Sequence, residues 1–154
     1  MLLLLMCHAG DKRFALPIHD VVEVVGRPHF ESIPQAACWV AGAFVHRGHV
    51  TPVIDLAQLI GTGIARSLWS SRVIVLKCQQ SPCANHQERR VGVLVDRAQA
   101  EQVPETRLAN EQQRIRVLPW GPTLLDEHGT YCLLDIPGLL SPERQTQLFP
   151  SFTK

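Results

Sequence analysis

Turn residues cut this chain at short, fairly regular intervals. LLLLMCH at 2–8, RFALPI at 13–18, HDVVEVV at 19–25, CWVAGAFV at 38–45, HVTPVID at 49–55, SRVIVLKC at 71–78 and VGVLVD at 91–96 are mostly apolar. They are rich in β-branched and aromatic residues, and each gives way to Gly, Pro, Asp or a polar cluster. Runs this short suit strands, because a globular helix needs the 3.6-residue repeat sustained over a longer window. LAQLIG after Asp55 is a helical pattern of about one and a half turns. Asp55 can cap its start, with Gln58 three residues on, and Gly61 can end it. The pattern as a whole predicts an all-β barrel or sandwich with one or two short helices.

The turns add detail. Gly10 and Asp11 close a first hairpin, and Arg47-Gly48 closes another, with glycine supplying the positive φ that a tight hairpin requires. GRPHFESIPQ at 26–35 holds two prolines and reads as an irregular edge or loop. Residues 62–71 read as a connector, 79–90 as the polar loop of a hairpin, and 98–104 as a continuation of the sheet. Residues 104–116 read as a long surface excursion. TLLD, a DEHG turn and TYCLLDI then end the β pattern. Ser141 can cap a second helical turn at the start of a C-terminal tail, 141–154, whose end is expected to fray. One five-stranded barrel would not use this many strands, so two small barrels are expected, divided near 62–70.

Charge and composition exclude several functions. Fifteen basic and fourteen acidic residues leave a net charge of +1 with no basic run, which argues against phosphate-neutralising nucleic-acid binding. A barrel for single strands would interleave aromatics with Lys or Arg on one face, and no such face is evident. With 45% hydrophobic and 19% charged residues, the chain should fold and keep apolar surface for a partner. MLLLLMC is too short for a membrane helix and lacks the form of a leader. It reads as a buried first strand of a cytoplasmic protein whose five cysteines are reduced. Cys7, His8, His46, His49 and His128 have no nucleophile elbow, acidic dyad or phosphate-cradling loop around them, so no enzyme and no cofactor are expected. The alternative is a small metal-binding barrel: CQQSPCANH places Cys78, Cys83 and His86 within nine residues, but as three ligands with no paired motif elsewhere. Trp39, Trp69 and Trp120 are expected to be partly buried.

FALPIHDVVEVV, WVAGAFVHRGHVTPVIDLAQLIG, SRVIVLK and RVGVLVD, in this order, resemble the CheW-like domain of bacterial chemosensory systems, from about Leu2 to Leu140. The most specific motif is F-x-x-R-G-x-x-x-P-V-x-D-L, met by Phe44, Arg47, Gly48, Pro52, Val53, Asp55 and Leu56. The resemblance implies one domain over 1–154, built of two interlocked SH3-like five-stranded β-barrels that share a core. The second barrel would cover about 17–72, and the first would be completed by 1–16 and 73–140.

It also implies a non-catalytic adaptor coupling the cytoplasmic tip of a methyl-accepting chemoreceptor to a histidine kinase with a CheW-like regulatory domain. Such a protein is cytoplasmic and meets the membrane through receptor arrays. No kinase ATP site, receiver or receptor helix occurs in these residues, so the adaptor itself is the part implied. The resemblance places the binding surface at Val21, Glu23, Gly42, Arg47 and Gly48. Glu23 and Arg47 would lie together beside a groove that takes a helical hairpin, with the two glycines allowing close approach. Val45, His46 and Ala57 stand where the family usually has Asn, Leu or Tyr, and Arg, and 104–118 is shortened. These departures predict a receptor and kinase other than those of a flagellar system, and the compact layout is similar to Wsp-type surface-sensing adaptors. A protein-interaction barrel outside chemosensory signalling is a further alternative.

Overall fold

The computed structural model describes residues 2–65, 67–78, 89–104 and 114–149. The strands among them are β1 (Leu2–Ala9), β2 (Lys12–Pro17), β3 (Val21–Gly26), β4 (Val40–His46), β5 (His49–Asp55), β6 (Arg72–Cys78), β7 (Arg89–Val95), β8 (Arg97–Val103), β9 (Arg114–Leu118), β10 (Gly121–Asp126) and β11 (Gly129–Leu133). The helices α1 (Leu56–Ile60), α2 (Ile136–Leu139) and α3 (Pro142–Leu148) are short, and none is long and apolar enough to cross a membrane. Two sheets form, in the orders β8-β1-β2-β11-β10-β9 and β3-β6-β7-β5-β4. Their pairings are antiparallel except for β11 on β2 and β5 on β7.

Alternation explains the continuous apolar runs. On β1, Leu4 and Met6 point into a cluster with Ala15, Val103, Leu124 and Tyr131, inside the first sheet. On β6, Val73 and Val75 join Val53 and Leu94 inside the second. The residues between them face the other way. Leu5, Cys7, Phe14 and Leu16 from the first sheet meet Ile54, Ile74, Leu76, Val91 and Val93 from the second in one larger cluster. Strands buried on both faces read as unbroken hydrophobic segments. The chain is all-β, two small barrels joined by a common core.

Local signals hold at the turns. Asp55 Oδ1 accepts from the Gln58 amide at 3.3 Å, and Gly61 ends α1 in the left-handed region at φ 81°. The second Asp55 oxygen accepts from the Ala65 amide at 3.0 Å, which ties the connector down. Ser141 Oγ caps α3 through the Arg144 amide at 3.4 Å.

Three boundaries differ from the sequence reading. β6 and β7 belong to the sheet of β3, β4 and β5, not to the sheet completed by β1, because β7 pairs in parallel with β5 across the connector. A strand apolar on both faces carries no local mark of which sheet it will join. Part of the supposed excursion is strand β9, so the first sheet has six strands; the alternation in RIRVL at 114–118 was its signal. The helical turn expected after Ser141 is present over Pro142–Leu148, but Leu148 is buried in the shared core, so the domain extends past the boundary at 141. Trp39 and Trp120 pack against that core, whereas Trp69 is fully exposed in the connector.

Candidate functional site

β4 and β5 are held in register to the last pair, His46 opposite His49. Arg47 and Gly48 form the two-residue turn between them, with φ 48° and 81°. Both values being positive is the mark of the type I′ hairpin, whose twist matches that of the strands. Glycine occupies such a position freely, but arginine there costs on the order of 1 kcal/mol. The chain therefore holds a cation at its tip in a backbone state that side chains other than Asn and Asp rarely take.

Glu23 explains how the tip is held. It lies on β3, one edge of the five-stranded sheet, while β4 is the other edge. A register shift on β3 between Val21 and Glu23 is a bulge, a device that re-aims a side chain. Glu23 reaches across the open seam of the second barrel. Its Oε2 accepts from Arg47 Nε at 2.9 Å, and its Oε1 from Arg47 Nη2 at 3.2 Å. His46 Nε2 lies 2.6 Å from the same Oε2. Arg90 Nη1, on β7, stands 3.1 Å from His46 Nδ1. The Arg47 side chain remains 70% exposed and that of His46 only 6%. Edge to edge, these side chains bind the sheet into a closed unit.

The hydrogen bonds from Arg47 and then from His46 favour the charged carboxylate and hold Glu23 down to about 2, from 4.5. A folded value below the unfolded one means that the pair stabilises the protein above pH 4.5 and that this contribution fades as pH falls toward 2. A carbon-detected carboxyl titration should show the Glu23 midpoint near 2, and Arg47→Ala should move it up toward 4.5. A wild-type midpoint already near 4.5 would mean the pair does not persist in solution.

Val21 is two residues back along β3, roughly 7 Å away at strand spacing. With Val22, Ile136, Pro137 and Leu140 it lines a groove of about 710 Å³ between the start of β3 and helices α2 and α3. His19, Asp20, Lys77 and Gln145 supply its polar lining. Gly48 has open space where a Cβ would stand. Gly42 does not face outward. It is buried at φ 144°, and a Cβ there would sit 2.6 Å from the Glu31 carbonyl oxygen and 2.9 Å from Phe30 Cβ. The close approach it allows is to the chain's own 30–31 segment, which bridges β4 at Ala43. Gly42→Ala should therefore lower stability by about 2 kcal/mol, through strained backbone and a displaced bridge. Chemical denaturation measures this, and an unchanged midpoint would return Gly42 to the list of surface contacts.

Of the residues singled out from the sequence, Glu23, Arg47 and Gly48 come together at the tip, and Val21 lines the groove at the start of β3. His46 and Arg90 were missed as members of the cluster. The available signal was a polar residue at an inward position: Val45 and Val50 form one cross-strand pair and are exposed, so His46 next to them points in. Cys78 packs into the shared core, and burial pushes its thiol up to about 11, against the thiolate a metal site requires. Cys83 and His86 lie outside the described residues. Among the described residues no group of three or more His, Cys, Asp or Glu is placed to hold a metal ion.

Comparison with protein families matches residues 3–144 to the CheW-like domain. The chain belongs to the CheW-like domain family. Among curated relatives, Protein PilI of Pseudomonas aeruginosa is 31% identical over 68 residues, 44% of this chain and 38% of PilI. Chemotaxis protein CheW of Helicobacter pylori is 27% identical over 88 residues, 57% of this chain and 48% of that protein. Protein FrzA of Myxococcus xanthus is 35% identical over 57 residues, 37% of this chain and 36% of FrzA. The matched stretches thus span less than half the length of each of these relatives. In three dimensions the chain is similar to the scaffolding protein TtCheW from Thermoanaerobacter tengcongensis, with a TM-score of 0.73 at 18% identity, over 93% of this chain and 90% of that one. At this identity the likeness establishes the fold of two SH3-like barrels.

Proposed function

We propose that the protein is a non-catalytic adaptor of a bacterial chemosensory array, linking the cytoplasmic tip of a chemoreceptor to a histidine kinase through that kinase's CheW-like regulatory domain. The observation that carries this reading is Arg47. Its backbone is held in an unfavourable conformation and its guanidinium is pinned by Glu23, yet it stays 70% exposed. An exposed ion pair adds little to stability, so strain at this place is better matched to recognition than to folding.

The groove at the start of β3 has the form a rod-shaped partner needs. Val21, Val22, Ile136 and Leu140 offer an apolar floor on which an amphipathic helix can lay one face, and Val21 lies two residues along β3 from Glu23, which holds Arg47. Membership of the CheW-like family supports the chemosensory setting, and the relative named Chemotaxis protein CheW supports it further. The domain is one unit over 1–154, a cytoplasmic protein that meets the membrane only through its receptor. Co-purification with a receptor hairpin fragment and with the kinase regulatory domain, both from the source genome, tests the reading. The adaptor should capture each separately and both together, and failure to retain either partner would sink it.

A further inference from the structure

His46 and Arg90 complete the cluster around Glu23, but the function just proposed gives them no role. Arginine can only donate hydrogen bonds, so the imidazole Nδ1 at 3.1 Å from Arg90 Nη1 must present its lone pair. The ring proton then sits on Nε2 and points at Glu23 Oε2, 2.6 Å away. The cluster has a direction: Arg90 donates to His46, His46 donates to Glu23, and Glu23 also accepts from Arg47. Glu23 meets Arg47 side-on, through Nε and Nη2. Two of the five guanidinium N–H groups are used there, which leaves the end-on fork of Nη1 and Nη2 turned away from the carboxylate.

We propose that His46, fixed as its Nε2–H tautomer by Arg90, is a positioning residue that sets the Glu23 carboxylate so that Arg47 presents its end-on fork to a carboxylate on the docked helix. The inference rests on the adaptor reading for the identity of the helix, but the positioning stands on this chain alone. Geometry supports it. A rotating carboxylate would satisfy Arg47 in several ways, whereas a buried donor at 2.6 Å fixes which oxygen faces which nitrogen. A guanidinium held side-on by one acid still fits a second one bidentately. The placement on β7 also links the tip to a third strand, so the presented fork moves with the barrel and not with the turn.

The test uses the full chain and two variants, His46→Leu and His46→Gln. Glutamine can accept from Arg90 and donate to Glu23, while leucine can do neither. The first readout needs no partner: nitrogen spectra should show the Nε2–H tautomer for His46 and a protected Arg47 Nε–H. That arginine signal should broaden in His46→Leu and survive in His46→Gln. The second readout is affinity for the purified receptor hairpin fragment, expected to fall about tenfold in His46→Leu and to stay within about twofold of wild type in His46→Gln. An Nδ1–H tautomer, or an Arg47 signal and affinity untouched by leucine, would overturn the proposal. Loss of the arginine signal in His46→Leu, together with receptor affinity that Arg47→Glu leaves unchanged, would keep the positioning role and reject the docking surface.

Discussion

Leu76→Ala should lower the stability of the protein by about 3–5 kcal/mol, the range for a large aliphatic side chain removed from a packed interior. Leu76 is fully buried, opposite Val91 on β7 and Val21 on β3, in the cluster shared by the two sheets. The hole it leaves would face residues of both barrels, so neither can collapse into it without disturbing the other. For that reason the loss should fall on the whole molecule. Far-ultraviolet circular dichroism and tryptophan fluorescence, the latter sensing Trp39 and Trp120 against the same core, should give coincident denaturation curves in wild type and variant. Two separated transitions would mean that the barrels fold independently, against the idea of a common core.

Arg47→Glu should weaken capture of the receptor hairpin by roughly a hundredfold while leaving capture of the kinase regulatory domain in place. The substitution removes the presented donors and sets a second acid beside Glu23, which already accepts from His46 and Arg47. An approaching carboxylate would then meet repulsion. The fold should survive, because the Arg47 side chain is 70% exposed and its main interaction is with one surface carboxylate. Pairing it with Glu23→Arg separates two effects: the reversed pair restores an ion pair across the seam but presents an acid to the partner. If the double variant binds the receptor as wild type does, Arg47 serves only to close the barrel.

Much of this architecture was legible in short-range pattern. Hairpins at Gly10-Asp11 and Arg47-Gly48, the Asp55 cap and the Gly61 stop follow from the backbone freedom and hydrogen-bonding reach of those residues, and each is where the sequence puts it. The family motif from Phe44 to Leu56 spans β4, the turn, β5 and the start of α1, so it could be read as one local unit. Other features needed the fold. Gly42 looked like a partner contact because φ and neighbours are invisible in sequence, and its neighbours turned out to be Phe30 and Glu31. RIRVL was passed over because its alternation is short and lies beside a polar stretch.

By itself the amino-acid order determined that this chain makes short strands with tight turns, carries a lone cation on one hairpin, and belongs among CheW-like domains. Hydrophobic period and turn chemistry act over a few residues, so they can be read directly. Only the tertiary structure decided that β6 and β7 side with β5, and that Glu23, His46, Arg47 and Arg90 from β3, β4, β7 and one turn meet at a seam. Edges far apart along the chain are brought together by burial of both faces of the central strands, a cooperative outcome that no single segment encodes.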